Sequence, residues 1–192
     1  MNICVYGASS KTIDKSFTDA GEALGYEMAK RGHTLVFGGG ASGLMGAVAR
    51  GITKGKGYII GVAPRYFDVD GILYEHCNEV HVTDTMRERK QKMEDFSSAF
   101  IMTPGGTGTF DEFFEILTLK QVGRHTLPIA ILNTNGYFDH LVELIEVAIA
   151  GNFMTEANRQ LYKVCDTPEE VLDYIEGYTA EGNKKISDYK DI

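Results

Sequence analysis

Residues 99–122 read AFIMTPGGTGTFDEFFEILTLKQV, and this stretch decides the fold. Its first four residues form an apolar run of strand length, which ends before Pro104. Three glycines follow within four positions: Gly105, Gly106 and Gly108. Glycine lets the backbone approach a ligand closely, and the start of the helix that follows presents free N–H groups and the positive end of the helix dipole. The stretch therefore predicts a strand, a loop and a helix that together bind an anion, most often phosphate.

The helix has an apolar and a polar side. The residues predicted to pack inward recur at helical spacing: Phe110, Phe113, Phe114 and Leu117. Asp111, Glu115 and Thr118 are predicted on the opposite side. Glu112 lies between the two sets, in the predicted first turn. Two interpretations of it stay open, a capping box with Thr109 and a catalytic carboxylate aimed at a phosphorylated ligand.

Length and composition limit the function. With 192 residues the chain can form one domain with a substantial core. We expect a single nucleotide-binding domain over residues 1–178 and a polar C-terminal tail over 179–192. The net charge of −8 argues against nucleic-acid or anionic-membrane binding. A small-molecule ligand is the partner that remains.

The location of the protein is predicted from what the sequence lacks. No apolar run approaches the roughly 20 residues that cross a bilayer, and Met1–Val5 has no basic segment typical of a secretory signal. The odd number of cysteines, without metal-ligand spacing, favours reduced thiols. These features predict a cytoplasmic protein without a metal site.

Strands alternate with helices along the whole chain. Predicted strands begin near Ile3, Thr34, Tyr58, Glu79, Ala99, Leu127 and Val164. This alternation predicts an α/β fold, a Rossmann-like doubly wound parallel sheet with helices on both faces. Ligands of such sheets lie at the carboxyl ends of the strands. Three loops rich in glycine or serine are predicted at that edge: 7–10, 38–43 and 104–109.

The first two of these loops supply further candidate residues. Gly38–Gly43 matches the G-x-G-x-x-G dinucleotide pattern, but the next strand is followed by no carboxylate before Asp68 that could hold a ribose. We therefore interpret this loop as a second phosphate loop and not as an NAD site. The candidate binding residues in the two loops are Ser9, Ser10, Gly39, Gly40 and Gly43.

The predicted helix from Met86 to Phe96 carries an arginine on its inward side. Asp84 or Thr85 can cap it. Met86, Met93 and Phe96 define the inward stripe, and Arg89 lies in its middle. A buried guanidinium must be paired, either in a structural salt bridge or beside a ligand. Arg87 and Lys92 are interpreted as part of a solvated face.

Three motifs now stand in order along the chain: FGGGASGLMG at 37–46, MRERK at 86–90 and PGGTGTFDE at 104–112. Together they resemble the Lonely Guy family, cytokinin-activating nucleoside 5′-monophosphate phosphoribohydrolases that often carry a lysine decarboxylase-like label. The resemblance covers about residues 2–155. It implies hydrolysis of the N-glycosidic bond of N6-substituted AMP to a free base and ribose 5-phosphate, without a cofactor.

The resemblance also implies site residues. The catalytic pair would be Arg89 and Glu112. The expected binding residues around this pair are Met86, Lys90, Gly105, Gly106, Thr107, Gly108, Thr109, Asp111 and Thr118. Because family members are dimers with shared active sites, a homodimer or higher homo-oligomer is expected. Arg87 replaces a histidine of many members, Thr107 replaces a tyrosine of plant members, and the loop at 64–77 differs in length, so the preferred base stays open.

Two other functions were weighed against hydrolysis. A decarboxylase would hold pyridoxal phosphate on a lysine, and Lys90 and Lys120, the lysines nearest the phosphate loops, both have ordinary explanations. A carrier of a phosphorylated cofactor, like the molybdenum-cofactor carriers, would use a similar fold and similar loops. The presence of both Arg89 and Glu112 favours the enzyme, because a carrier needs the loops but not the pair.

Overall fold

A computed structural model of the chain describes residues 1–67 and 72–180. In these ranges strands and helices alternate, with short 3₁₀ turns between some of them. The elements are β1 (Asn2–Tyr6), α1 (Lys15–Lys30), β2 (Thr34–Phe37), α2 (Gly43–Lys54), β3 (Tyr58–Pro64), β4 (Glu79–Thr83), α3 (Met86–Asp95), β5 (Ala99–Met102), α4 (Thr107–Gln121), β6 (Ile129–Leu132), α5 (Asp139–Ala150), β7 (Lys163–Cys165) and α6 (Pro168–Gly177).

The seven strands form one sheet in the order β4-β3-β2-β1-β5-β6-β7, and every neighbouring pair is parallel. This confirms the predicted doubly wound α/β fold. Val5 of β1 pairs with Phe37 of β2 on one side and with Ile101 of β5 on the other. The carboxyl ends of these three strands therefore lie side by side, and the loops that follow them are neighbours.

The helices cover both faces of the sheet, as predicted. Helices α1, α2 and α6 pack on one face through buried residues such as Leu24, Val48 and Leu172. Helices α3, α4 and α5 pack on the other face, where Met93 and Phe113 are fully buried. Each strand near the middle is therefore apolar on both sides, as parallel sheets require.

Two residues of the predicted apolar stripes are exposed. Phe113 and Leu117 are buried as expected, but Phe114 is exposed. The reason is helical geometry, since the next position in the chain lies about 100° around the helix from a buried one. Met86 is also exposed, because it is the first residue of α3 and lies beyond the core.

Parts of two predicted segments lie outside the described residues. The predicted loop 64–77 includes residues 68–71, and the predicted tail includes 181–192, so the domain boundary stays a prediction. Of the same loop, Pro64 ends β3 and Arg65–Phe67 form a 3₁₀ turn. Among the helices in the described ranges, none is both long and apolar enough to cross a membrane. The three cysteines, Cys4, Cys77 and Cys165, form no disulfide in the structure.

Candidate active site

The three predicted loops interlock at the carboxyl edge of the sheet. The N–H of Ala8 donates to the carbonyl of Pro104 at 3.1 Å. The carbonyl of Ala8 in turn accepts from the N–H groups of Leu44 and Met45 at 2.9 and 3.1 Å. The loop after β1 therefore lies between the loop before α2 and the loop before α4, and backbone hydrogen bonds tie it to both.

The start of α4 is open to a ligand. Its N-cap is Gly106, and no side chain caps this helix. The first N–H to bond back is that of Phe110, which donates to the carbonyl of Gly106 at 3.0 Å. The N–H groups of Thr107, Gly108 and Thr109 thus have no acceptor within the helix. They lie at the positive end of its dipole, where an anion is stabilised.

The start of α2 differs, although its sequence is as rich in glycine. The N–H groups of Leu44 and Met45 are already bonded to Ala8, so they are not available to a phosphate. Gly43 has a positive φ of 62°, and a Cβ there would lie 2.6 Å from the carbonyl oxygens of Ala8 and Ser10. Position 43 therefore requires a glycine, because only a residue without a Cβ lets these carbonyl groups approach the backbone so closely. Two N–H groups of this helix start are therefore engaged within the protein, and the phosphate-binding role of this loop stays a prediction.

Arg89 and Glu112 form a buried ion pair. Nη1 of Arg89 lies 2.8 Å from Oε1 of Glu112, and the two residues are 5% and 8% exposed. Nε of Arg89 donates to the carbonyl of Val62 at 3.2 Å. A capping box between Thr85 and Glu88 fixes the start of α3 and, with it, the position of Arg89. The predicted pair is therefore brought together, by a helix from each half of the sheet.

Glu112 is not part of a capping box with Thr109. Helix α4 begins at Thr107, so Thr109 is already inside the helix and Glu112 lies in the second turn. The capping interpretation was wrong because the N-cap is Gly106, three residues before the predicted threonine cap. Burial raises the pKa of Glu112 above its ordinary value, and the adjacent Arg89 guanidinium opposes that rise.

Sequence reasoning missed the role of Gly38. This glycine directly follows β2, and a Cβ built on it would lie 1.9 Å from Nη2 of Arg89. Arg89 therefore lies against the bare backbone of Gly38. The available signal was the first glycine of the G-x-G-x-x-G pattern, but that pattern explains Gly38 without Arg89, which lies far along the chain.

Two adjoining cavities open at this edge of the sheet. The first, of about 400 Å³, is lined by Gly7, Ala8, Ser9, Ser10, Met45, Phe67, Met86, Arg89, Gly106, Thr107, Gly108, Thr109, Asp111 and Glu112. The second, of about 360 Å³, is lined by Ser9, Lys11, Gly38, Gly40, Ser42, Met45, Phe67, Ile72 and Arg89. Ser9, Met45, Phe67 and Arg89 line both cavities. The first brings the candidate catalytic pair and most of the predicted binding residues to one place.

Five predicted binding residues line neither cavity. Nζ of Lys90 pairs with Asp111 at 2.9 Å and with Glu115 at 2.8 Å. The carbonyl of Gly105 accepts from the Tyr137 hydroxyl at 2.8 Å, and Thr118 lies on the exposed side of α4. The other two are Gly39 and Gly43. The carbonyl of Gly39 accepts a hydrogen bond from the N–H of Tyr74 at 2.8 Å. Gly39 therefore attaches the segment around Tyr74 to the loop before α2.

A larger cavity of about 640 Å³ lies away from these residues, along the outer side of α3. Its lining includes charges of both signs, among them Arg87 and Lys92, which agrees with the predicted solvated face. It contains none of the three loops. The described part of the chain has no group of three or more His, Cys, Asp or Glu residues placed to hold a metal ion.

Known proteins resemble the chain in sequence. A family model described as "Possible lysine decarboxylase" matches residues 45–175. A probable cytokinin riboside 5′-monophosphate phosphoribohydrolase of Oryza sativa subsp. japonica is 36% identical over 184 residues, which are 96% of this chain and 74% of the relative. A cytokinin riboside 5′-monophosphate phosphoribohydrolase of Arabidopsis thaliana is 35% identical, and the match covers 92% of this chain and 82% of the relative's length.

Solved structures resemble it in fold. The molybdenum cofactor binding protein of Rippkaea orientalis superposes with a TM-score of 0.71 over 91% of this chain and 94% of that one, at 20% sequence identity. The molybdenum cofactor carrier protein of Chlamydomonas has a TM-score of 0.69, also at 20% identity. At this identity the likeness extends to the fold alone.

Proposed function

Because the chain belongs to the Lonely Guy family of cytokinin riboside 5′-monophosphate phosphoribohydrolases, we propose that it hydrolyses the N-glycosidic bond of N6-substituted adenosine 5′-monophosphates. The products are the free base and ribose 5-phosphate. The observation that carries this proposal is the buried Arg89–Glu112 pair beside the open start of α4. An anion site and a carboxylate on adjacent turns of one helix suit a phosphorylated sugar.

The 5′-phosphate is bound, in this proposal, at the start of α4. Thr107, Gly108 and Thr109 line the first cavity, and their N–H groups have no acceptor in the helix. Hydrogen bonds from such groups to a charged phosphate are stronger than those between neutral partners. The hydroxyls of Ser9 and Ser10 line the same cavity and can reach the ligand. The phosphate then fixes the ribose next to Glu112.

Cleavage of the C1′–N bond builds positive charge on the ribose. The Glu112 carboxylate stabilises that charge and orients the attacking water. The water oxygen bonds to C1′ as the C1′–N bond breaks, and the bond electrons pass to the base. One water proton is transferred to the base, which leaves as a neutral molecule, and the other stays on the new C1′ hydroxyl. Arg89 holds Glu112 through Nη1 and is itself held by Val62 through Nε. Its guanidinium thus orients the carboxylate and opposes the rise in the pKa of Glu112 that burial causes.

The competing functions fit the site less well. A carrier of a phosphorylated cofactor would use the open helix start, but it would have no use for a buried ion pair, which costs desolvation energy. A pyridoxal phosphate decarboxylase would need a lysine in the site. Lys90 forms ion pairs with two carboxylates. Lys120, in the last turn of α4, is buried and lies over the ring of Tyr178. Neither lysine lines either of the two cavities. Lys11 does line the second cavity, but it does not line the one that contains Glu112 and the start of α4.

We further propose that AMP itself binds at this site, that the protein acts in the cytoplasm and that it is at least a homodimer. The open α4 start supports AMP binding, because the phosphate and ribose are common to AMP and to its N6-substituted forms. The three free thiols suit a reducing compartment. Exposed apolar side chains on α5 support self-association.

The test is incubation with AMP and with N6-isopentenyl-AMP, followed by chromatography for the free base. Release of base from neither nucleotide would contradict the proposal.

Glu112→Gln should keep the fold and nucleotide binding but lower kcat by about 10²-fold or more, because the carboxylate no longer stabilises the cation. Arg89→Ala should also be severely impaired. Arg87→Ala and Lys92→Ala are the matched controls, because both lie on the outer side of α3.

A further inference from the structure

The turn after β6 brings a tyrosine to the loop before α4. Asn133 directly follows β6; its Nδ2 donates to Asp139 at 2.7 Å, and its Oδ1 accepts from the N–H of Phe138 at 2.7 Å. These two bonds fix the short turn that positions Tyr137. The Tyr137 hydroxyl donates to the carbonyl oxygen of Gly105 at 2.8 Å. A side chain from one loop thus contacts the backbone of the loop that leads into the proposed phosphate site.

The ring of Tyr137 is fixed independently of its hydroxyl. It packs edge-to-face on Phe17 of α1, with ring centres 5.8 Å apart, and on Phe138, with centres 4.9 Å apart. Such contacts between aromatic rings are favourable in themselves. Removal of the hydroxyl alone should therefore leave the ring in place and remove only the hydrogen bond to Gly105.

This hydrogen bond orients a whole peptide unit. The C=O of Gly105 and the N–H of Gly106 belong to one planar trans peptide, so they point in opposite directions. Because the carbonyl is directed at Tyr137, the N–H of Gly106 is directed away from it. Gly106 lines the first cavity, whereas Gly105 and Tyr137 do not. In the described part of the chain this N–H has no backbone acceptor, so it is available to an anion.

The same peptide has a glycine at each end, and glycine tolerates backbone conformations that other residues do not. If the peptide turned over, the carbonyl oxygen of Gly105 would face the phosphate, and two acceptors would repel each other. We propose that Tyr137 is a positioning residue whose hydroxyl keeps the Gly105–Gly106 peptide in the orientation that binds the 5′-phosphate. This inference rests on the proposed function.

The experiment compares Tyr137→Phe with the wild type in steady-state kinetics with AMP and in calorimetry with inorganic phosphate. Loss of one hydrogen bond should reduce the fraction of molecules with the competent orientation, so that the KM for AMP and the Kd for phosphate both rise about 3–10-fold. The kcat should change by less than about 2-fold, because a bound phosphate itself selects the competent orientation.

Tyr58→Phe is the matched control. Tyr58 and Tyr137 are each 43% exposed, and the Tyr58 hydroxyl donates to Oε1 of Glu79 at 2.8 Å. Tyr58 lies at the start of β3, at the opposite edge of the sheet from the site. Its variant should leave KM and phosphate affinity unchanged. A lower kcat together with a lower free energy of unfolding in Tyr137→Phe, at unchanged phosphate affinity, would mean that Tyr137 is merely structural.

A second substitution tests the reversal of the peptide. Turning it over would rotate the φ of Gly106, now −97°, by about 180° to a positive value that alanine disfavours. A Cβ at Gly106 has no neighbour within 4 Å, so Gly106→Ala introduces no clash. Tyr137→Phe should therefore raise KM less in the Gly106→Ala background than in the wild type. Equal rises in both backgrounds would overturn the proposed reversal.

The outcomes separate this inference from the proposed function. If the wild type cleaves AMP, and Tyr137→Phe changes neither KM nor phosphate affinity, the role of Tyr137 is wrong and the hydrolysis stands. If the wild type binds phosphate but cleaves no nucleotide, the hydrolysis is wrong. The phosphate affinity then decides on Tyr137 alone, since a weaker affinity in Tyr137→Phe supports its role and an equal one overturns it. A wild type that does not bind phosphate would overturn both the phosphate site and the role of Tyr137.

Discussion

At the scale of single residues, the site depends on how Arg89 is seated. A carbonyl, a carboxylate and the bare backbone of Gly38 surround its guanidinium. A guanidinium is planar and rigid, so a neighbour that intrudes on its plane must displace the whole group. The orientation of the Glu112 carboxylate depends on the position of this guanidinium, because Arg89 is its hydrogen-bond partner.

Gly38→Ala tests that dependence. The new Cβ would lie 1.9 Å from Nη2, so the guanidinium must move. A misplacement of about 1 Å in a catalytic group costs roughly 10²-fold in rate, and we expect a loss of that order in kcat. When Arg89→Ala is already present, Gly38→Ala should cause little further loss. Additive losses in the double variant would mean that Gly38 acts independently of Arg89.

The pH dependence of the reaction should report the charge around Glu112. Its carboxylate must be ionised to act, so kcat should fall as the pH drops through its pKa, which burial raises and Arg89 lowers. Asp111 raises this pKa further, whereas Lys90 lowers it. Asp111→Asn should therefore move the acidic limb of the kcat profile to lower pH, and Lys90→Met should move it to higher pH. Shifts in the same direction would assign the limb to another group.

The sequence predicted the two central residues but not their support. Arg89 was found because it interrupts an apolar stripe, and Glu112 because it follows the glycine loop. The capping interpretation of Glu112 failed because local pattern does not say where α4 begins. Gly38 could not be assigned, since its reason is a side chain that folding brings from α3.

At the scale of elements, two helix starts with similar sequences behave differently. Both α2 and α4 follow a glycine-rich loop at the same sheet edge. At the α2 start the N–H groups of Leu44 and Met45 are bonded to the carbonyl of Ala8, whereas the α4 start has no such partner within the helix or from a capping side chain. The sequence could not distinguish them, because the carbonyl comes from a distant loop that has no recognisable signal.

Gly106→Asp should close the α4 start. Space is available, since nothing lies within 4 Å of a Cβ at Gly106. An N-cap aspartate accepts from the first N–H groups and complements the helix dipole, so we expect the free energy of unfolding to rise by about 0.5–1 kcal/mol. The carboxylate would also compete with the phosphate, and the KM for AMP should rise more than 10-fold.

Gly106→Ala is the matched control for this variant, because it adds a Cβ without a charge. Denaturant unfolding and steady-state kinetics measure the two effects. An unchanged KM for AMP in Gly106→Asp would show that the phosphate binds elsewhere. A similar rise in both variants would assign the effect to the side-chain volume and not to the carboxylate.

At the scale of the whole molecule, the alternation of strands and helices was sufficient to predict a doubly wound parallel sheet. What it could not predict is which apolar residues remain uncovered. Phe113 and Leu117, which were predicted to pack inward, are buried against the sheet, whereas Phe114 is exposed. The three most exposed of the large apolar side chains in the described residues lie on α5 and just after it: Leu144, Val147 and Phe153, at 61%, 63% and 87%.

We expect these side chains to be covered by a second copy of the chain. Sedimentation at micromolar concentration should give a species heavier than the 21.2 kDa monomer. The double variant Leu144→Glu with Val147→Glu should shift the protein toward the monomer, because charge at such an interface is costly to bury. A wild-type species of monomer mass would contradict the expectation of an oligomer, and an oligomer that survives the double variant would place the interface on another face.

The carbonyl of Ala8, which binds the start of α2, has a consequence for hydrogen exchange. The amide protons of Leu44 and Met45 are bonded within the protein, so they should exchange slowly whether or not a nucleotide is present. Those of Thr107, Gly108 and Thr109 lack an acceptor in the helix and should exchange quickly until a phosphate arrives. The α2 start therefore serves as an internal reference, and the α4 start reports on the ligand. The difference in deuterium uptake between the two measures the occupancy of the site without any label on the ligand.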